Sequence, residues 1–211
     1  MDFMWLSLTA FLGLIVDALL AFILEPMLWG GPMQKWSTEA YVLHYMIIYI
    51  VWGGFAFWIL HRSQKTCGFD PFASAEKPSN WQWAATAVCI VICLVATWIN
   101  WNGSKVLAEF RGLGAVRFLL QYIYYLFEVM LVTLIIVFGQ KAFEVWFKRP
   151  NIPYGAIVVA FTWGLAHWGT KSSLYAGLLV AAAGFCFGLV YLLLNRNIKL
   201  TYAALCIMFI L

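Results

Sequence analysis

Four ionisable residues sit inside long apolar runs of the 211-residue chain: Asp17, His44, Glu128 and His167. A charge in hydrocarbon costs about 3 kcal/mol or more, so each such residue is a candidate site by default. Glu128 is the plainest case. It is flanked by Tyr124, Tyr125, Leu126, Phe127, Val129 and Met130, with no Lys or Arg within a helical turn, and a carboxyl group there needs a partner or a proton. His167 closes the stretch Phe161-Thr162-Trp163-Gly164-Leu165-Ala166-His167, whose small residues allow close helix approach. In a dry cavity a Glu/His pair has definite chemistry. The carboxylate takes a proton from water and passes it to a leaving amine, while the His orients that water or stabilises an oxyanion. The same pair could relay protons in a carrier or bind a cation. Asp17 taken alone reads as a helix-packing hydrogen bonder. His44, among Tyr41, Tyr45 and Tyr49, reads as a satisfied core or interfacial histidine.

Depth gives these residues more weight together than singly. A spanning helix needs roughly 20 mostly apolar residues. Such runs fall at about 3–24, 38–60, 82–101, 117–139, 153–169 and 172–194, and a shorter one at 200–211 is expected to be a half-helix or a helix packed on the bundle. The second is opened by Ser37-Thr38-Glu39 and closed by His61-Arg62, and the third begins at the Trp81/Trp83 belt. At about 1.5 Å of rise per residue, Asp17, His44 and His167 all come out ~21 Å from the inner boundary, and Glu128 ~16 Å. Four residues from four helices therefore share a slab about one helical turn thick.

The elements that position them belong to a membrane protein. The chain is 64% hydrophobic and 10% charged, whereas soluble domains average about 45–50% apolar and about 25% charged. A chain of this size cannot hide that excess in a core, so lipid bilayer is its expected surroundings. The 12 Trp, 10 Tyr and 17 Phe suit membrane interfaces. Thirteen Lys and Arg lie mostly between the apolar runs, as loop charge that orients helices and not as a nucleic-acid footprint. With the N-terminus inside, eight of them face inward and five outward, which favours that orientation and puts loops 61–80 and 140–152 together on the cytoplasmic side. Met1-Asp2-Phe3 carries neither a basic segment nor a small-residue cleavage site, so the first run is expected to stay as a span. Of the five cysteines, Cys89 and Cys93 share a helix face, but no His or Asp completes a metal set. They read as packing residues, and no metal, cofactor or disulfide framework is expected.

From about residue 124 the chain resembles the CAAX-protease and bacteriocin-processing (CPBP) family of glutamic intramembrane peptidases. The resemblance rests on Ala156 to His167, where Trp163 and His167 take the places of an aromatic residue four positions before a His. It rests also on the glycine-punctuated helix Gly184-Phe185-Cys186-Phe187-Gly188 and on Glu128, at about the family's distance upstream. The family's first motif has two adjacent glutamates and an arginine four positions on. Phe127 and Val132 stand at the missing positions, and the late helix, Thr201 to Phe209, carries no His or Asn.

The expectation is an all-α, polytopic transmembrane helical bundle of about six or seven spans. It forms a single domain over 1–211 with a CPBP-like core over about 117–211, in a prokaryotic plasma membrane. What the resemblance implies is a divergent intramembrane endopeptidase acting on a membrane-associated peptide or protein. Glu128 would be the general base and His167 the orienting or oxyanion-binding partner. Trp163, Asp17 and His44 are binding candidates, and His44 is a stand-in for the missing late histidine. A catalytically inactive relative that binds a membrane peptide or partner protein is the alternative, and a proton-coupled carrier the third class.

Overall fold

The computed structural model describes residues 3–211. Met1 and Asp2, which bear on the uncleaved first span, and the side chain of Gln34 lie outside the described residues. Among the described residues the chain is helical with no strand. Seven rods follow one another: α1 Phe3–Trp29, α2 Thr38–Cys67, α3 Asn80–Asn100, α4 Lys105–Phe147, α5 over 154–171, α6 Leu174–Leu193 and α7 Ile198–Ile210. Side-chain oxygens cap several of them, at α2 as the sequence suggests. Ser37 accepts from the Ala40 amide, Ser104 from Leu107 and Ser173 from Ala176, and Asn197 caps α7.

Five of the rods, α1 to α4 and α6, are long and apolar enough to cross a membrane. That is fewer than the six or seven spans expected. The run at 153–169 forms α5, but its last turns carry His167, Gly169, Thr170 and Lys171, which dilute its apolarity. The last run is a 13-residue helix packed on the bundle. Helix α1 continues past residue 24, because a π-helical turn at Leu20–Leu24 hands over to Glu25–Trp29, whose first turn accommodates Pro26. The segment before residue 117 is a helical arm of α4, divided from the rest by Gly114, whose φ of 73° breaks the helix.

Helix α4 is the hub and packs on α1, α2, α5, α6 and α7. Every residue from Leu131 to Gln140 is buried, the mark of a helix enclosed on all sides. Two glycines set how closely α5 fits between its neighbours. A Cβ on Gly188 would fall 2.2 Å from Ala156 Cα, and one on Gly155 would fall 2.5 Å from the Ile136 carbonyl oxygen. Gln140 pins the α4–α5 hairpin, accepting from the Gly155 amide (2.8 Å) and donating to the Ile152 carbonyl (2.9 Å).

The loops around 68–79 and 148–153 lie at one end of the bundle. Phe69 meets Phe3 and Phe138 edge-on. Asn195 accepts from Gln82 and donates to the Glu76 and Lys77 carbonyls. Arg196 pairs with Glu144 at 2.8 Å and donates to the Pro150 carbonyl. A membrane topology follows that labelling can check. Cysteines introduced at the exposed positions Ser74 and Asn151 should react with an impermeant thiol reagent from the same side of the membrane, and one at Asn102 from the other. Opposite sidedness of the first two would be incompatible with this bundle.

Candidate functional site

The four intramembrane candidates form two clusters, and each is placed by a π-helical turn. Asp17 and Glu25 are eight residues apart on α1, which in a regular helix leaves them about 80° apart around the axis. The π-turn at Leu20–Leu24 absorbs one extra residue and brings that angle down to about 20°. Both carboxylates therefore face α2 and hold one imidazole between them. His44 Nδ1 donates to Glu25 Oε2 at 2.7 Å, and its Nε2 lies 3.5 Å from Asp17 Oδ1. Tyr124 of α4 donates to Asp17 Oδ2 at 2.8 Å. Trp36 stands edge-on to the His44 ring, and Tyr45, also against it, donates to Gln121. His44 and Glu25 are almost wholly buried, and among the described residues Glu25 Oε1 and Asp17 Oδ1 have no hydrogen-bond partner. An imidazole set between two carboxylates makes three neighbouring groups that can each take up and give back a proton.

The second cluster joins α4 to α5. Trp163 lies in the π-turn Ala160–Gly164, and its indole Nε1 donates to Glu128 Oε1 at 2.9 Å. His167, one turn on, stands against the Trp163 ring with centroids 4.9 Å apart. Its Nδ1 lies 2.8 Å from the Trp163 carbonyl oxygen. A carbonyl only accepts, so Nδ1 carries the proton and Nε2 is left as the free lone pair of the neutral ring. Trp163 and His167 line a cavity of about 360 Å³ between α3, α5, α6 and α7, with Lys105 of α4 also in its wall. Glu128 is not among its lining residues.

The candidates are thus brought together in pairs. Asp17 meets His44, and Glu128 is tied to His167 only through the Trp163 indole and backbone. His44 does not join Glu128 and His167 as a stand-in for the late histidine: its Nδ1 donates to Glu25 and its Nε2 faces Asp17 Oδ1 at 3.5 Å. The two clusters meet along α4, where Tyr124 and Glu128 are one turn apart. Three members were not singled out in the sequence. Glu25 resembles a helix terminus beside Pro26, Tyr124 is one aromatic among many, and Lys105 looks like loop charge. The one available signal was the Asp17–Glu25 spacing, which makes sense only with an extra residue in the turn. None of the five cysteines is in a disulfide among the described residues, and Cys93 and Cys186 contact each other across the cavity wall. No group of three or more His, Cys, Asp or Glu among the described residues is placed to hold a metal ion.

No protein-family model matches this chain, and no curated protein or solved structure matches it either.

Two stability measurements check these contacts. Trp163→Phe removes the donor to a buried carboxylate and should destabilise the protein by about 1–3 kcal/mol. In a Glu128→Leu background, where no acceptor remains, the same substitution should cost clearly less, a coupling of about 0.5–3 kcal/mol in a double-mutant cycle. Strict additivity would mean the bond contributes nothing. His44→Phe strands two carboxylates and should cost about 3–5 kcal/mol in detergent-solubilised unfolding. Glu25→Gln, which keeps an acceptor for His44, should cost less.

Proposed function

We propose that this chain is a catalytically inactive relative of the CPBP intramembrane peptidases, a multi-pass protein of the prokaryotic plasma membrane. It holds a membrane-embedded chain in the cavity beside Trp163 and His167. The observation that carries this reading is the hydrogen bond from the Trp163 indole to Glu128. It occupies one carboxylate oxygen and leaves an aromatic ring, not the acid, on the cavity wall. Peptide hydrolysis by Glu128 would need that carboxylate and His167 to share a water within about 3 Å of each. The positions that would supply a second acid and a guanidinium hold Phe127 and Val132. What remains is a cavity at the lower end of the roughly 300–1,000 Å³ usual for ligand sites, mostly apolar with a few polar groups.

A second reading has its own observation. The Glu25–His44–Asp17 cluster, passed on to Tyr124, is the kind of arrangement that relays protons in membrane carriers. In that case proteoliposomes should show proton flux that His44→Phe removes and Ala183→Trp leaves alone.

The binding reading is tested by what the protein carries out of the membrane. Wild type purified in a mild detergent should retain a bound amphiphile or peptide detectable by mass spectrometry. Ala183→Trp, which fills the cavity from α6, should lose most of it. Glu128→Gln should retain the same molecule in the same amount. A peptidase that depends on Glu128 would instead accumulate an uncleaved substrate in the Glu128→Gln protein, and that result would overturn the proposal.

A further inference from the structure

The cavity has a polar end and an apolar end. Along α3 its wall runs from Ile92 to Asn100, a rise of about 12 Å. Asn100 lies beside the start of α4, where Lys105 enters the cavity, and Cys93, Cys186 and Phe187 form the deeper part. Lys105 is unusual among the cations of this chain in being buried, at 8% exposure. Its Nζ donates to the Phe209 carbonyl at 2.8 Å and lies over the rings of Tyr125 and Phe209, at 4.3 and 5.0 Å. An ammonium has three N–H donors, and among the described residues no Asp or Glu oxygen lies within ion-pair distance of this one. Glu109, one turn along the same helix, gives Oε1 to the Tyr125 hydroxyl at 2.6 Å. Among the described residues no Asp or Glu lines the cavity.

The Glu109 and Glu128 carboxylates act on this ammonium only from beyond ion-pair distance, and a buried ammonium on an apolar cavity with no carboxylate in contact is costly unless something anionic completes it. We propose that the cavity binds a long-chain carboxylate. Its head would be held by Lys105 Nζ and the Asn100 amide, and its alkyl tail would run between α3 and α6 toward Cys93, Cys186 and Phe187. This rests on the reading of the cavity as a ligand site and names the ligand's chemistry. A single ammonium with one neutral amide suits a monoanionic carboxylate. A phosphate head would call for the denser cationic or guanidinium set that such groups usually receive. The rings of Tyr125 and Phe209 strengthen the fit, because cation–π contacts hold the ammonium in place without neutralising it.

Three probes with one tail separate the possibilities: dodecanoate, dodecanol and dodecyl phosphate, bound to the full-length protein in digitonin and measured by competition against a fluorescent fatty-acid analogue. Wild type should bind dodecanoate at least about tenfold more tightly than dodecanol, the difference expected for a charge-assisted hydrogen bond in a buried site. Lys105→Gln should lower dodecanoate affinity by about tenfold and leave dodecanol unchanged. Equal affinity of wild type for the acid and the alcohol would overturn the carboxylate assignment while leaving a ligand cavity in place. So would unchanged dodecanoate binding by Lys105→Gln, or tighter binding of the phosphate than of the carboxylate. Failure of all three probes to bind would remove the ligand-cavity reading itself. Should Lys105→Gln not fold, the wild-type ratio of dodecanoate to dodecanol decides the matter alone. Ala183→Trp should abolish binding of both.

Discussion

A polar group buried inside this bundle is costly unless its own helix or a neighbouring one supplies a hydrogen-bond partner. Glu128 shows what that requires. It sits on α4, the helix enclosed by five others, and the donor that reaches it comes from the middle of α5. For the Trp163 indole to arrive there, α5 has to run hard against both α4 and α6. The side-chain-free contacts at Gly155 and Gly188 allow that approach. The small residues between 155 and 188 are therefore part of the site, although none of them touches the carboxylate.

The two π-turns belong to the same argument. A regular helix repeats its faces every 3.6 residues, and neither cluster fits that repeat without adjustment. In α1 the extra residue rotates Glu25 onto the face of Asp17, so that one imidazole can serve both acids. In α5 the turn carries Trp163 itself and delivers its ring toward α4. A π-turn leaves the backbone hydrogen bonds of a helix imperfect, and its persistence points to stabilisation by side chains. Here that support is visible as hydrogen bonds linking α1 to α2 and α5 to α4.

The seven helices were legible as apolar runs, and the start of α2 was legible at its Ser37 cap, whereas α4 is capped at Ser104, well ahead of the expected 117. The levels of the polar residues along their helices could be compared, since rise per residue is nearly constant. Their partners could not be read. Depth says nothing about rotation around the axis, so it could not separate Asp17 and His44 from Glu128 and His167. Lys105 shows the limit from the other side. In sequence it stands among Asn102, Gly103 and Ser104 and resembles loop charge, and only the fold of the α3–α4 turn carries it beneath Phe209.

The resemblance to glutamic intramembrane peptidases and the arrangement of the site can be reconciled physically. A general base has to be open to water, and it has to be free to take up a proton and give it back. The Trp163 indole occupies one Glu128 oxygen, and because an indole N–H donates but cannot accept, it cannot pass a proton on. Trp163 ties Glu128 to α5 and stands in its place on the cavity wall. The residues left facing that space are an aromatic ring, an imidazole with one free nitrogen, an amide and a buried ammonium. On the proposed reading, that set would orient an anionic group at the polar end of the cavity, with the apolar residues of α3 and α6 beyond it.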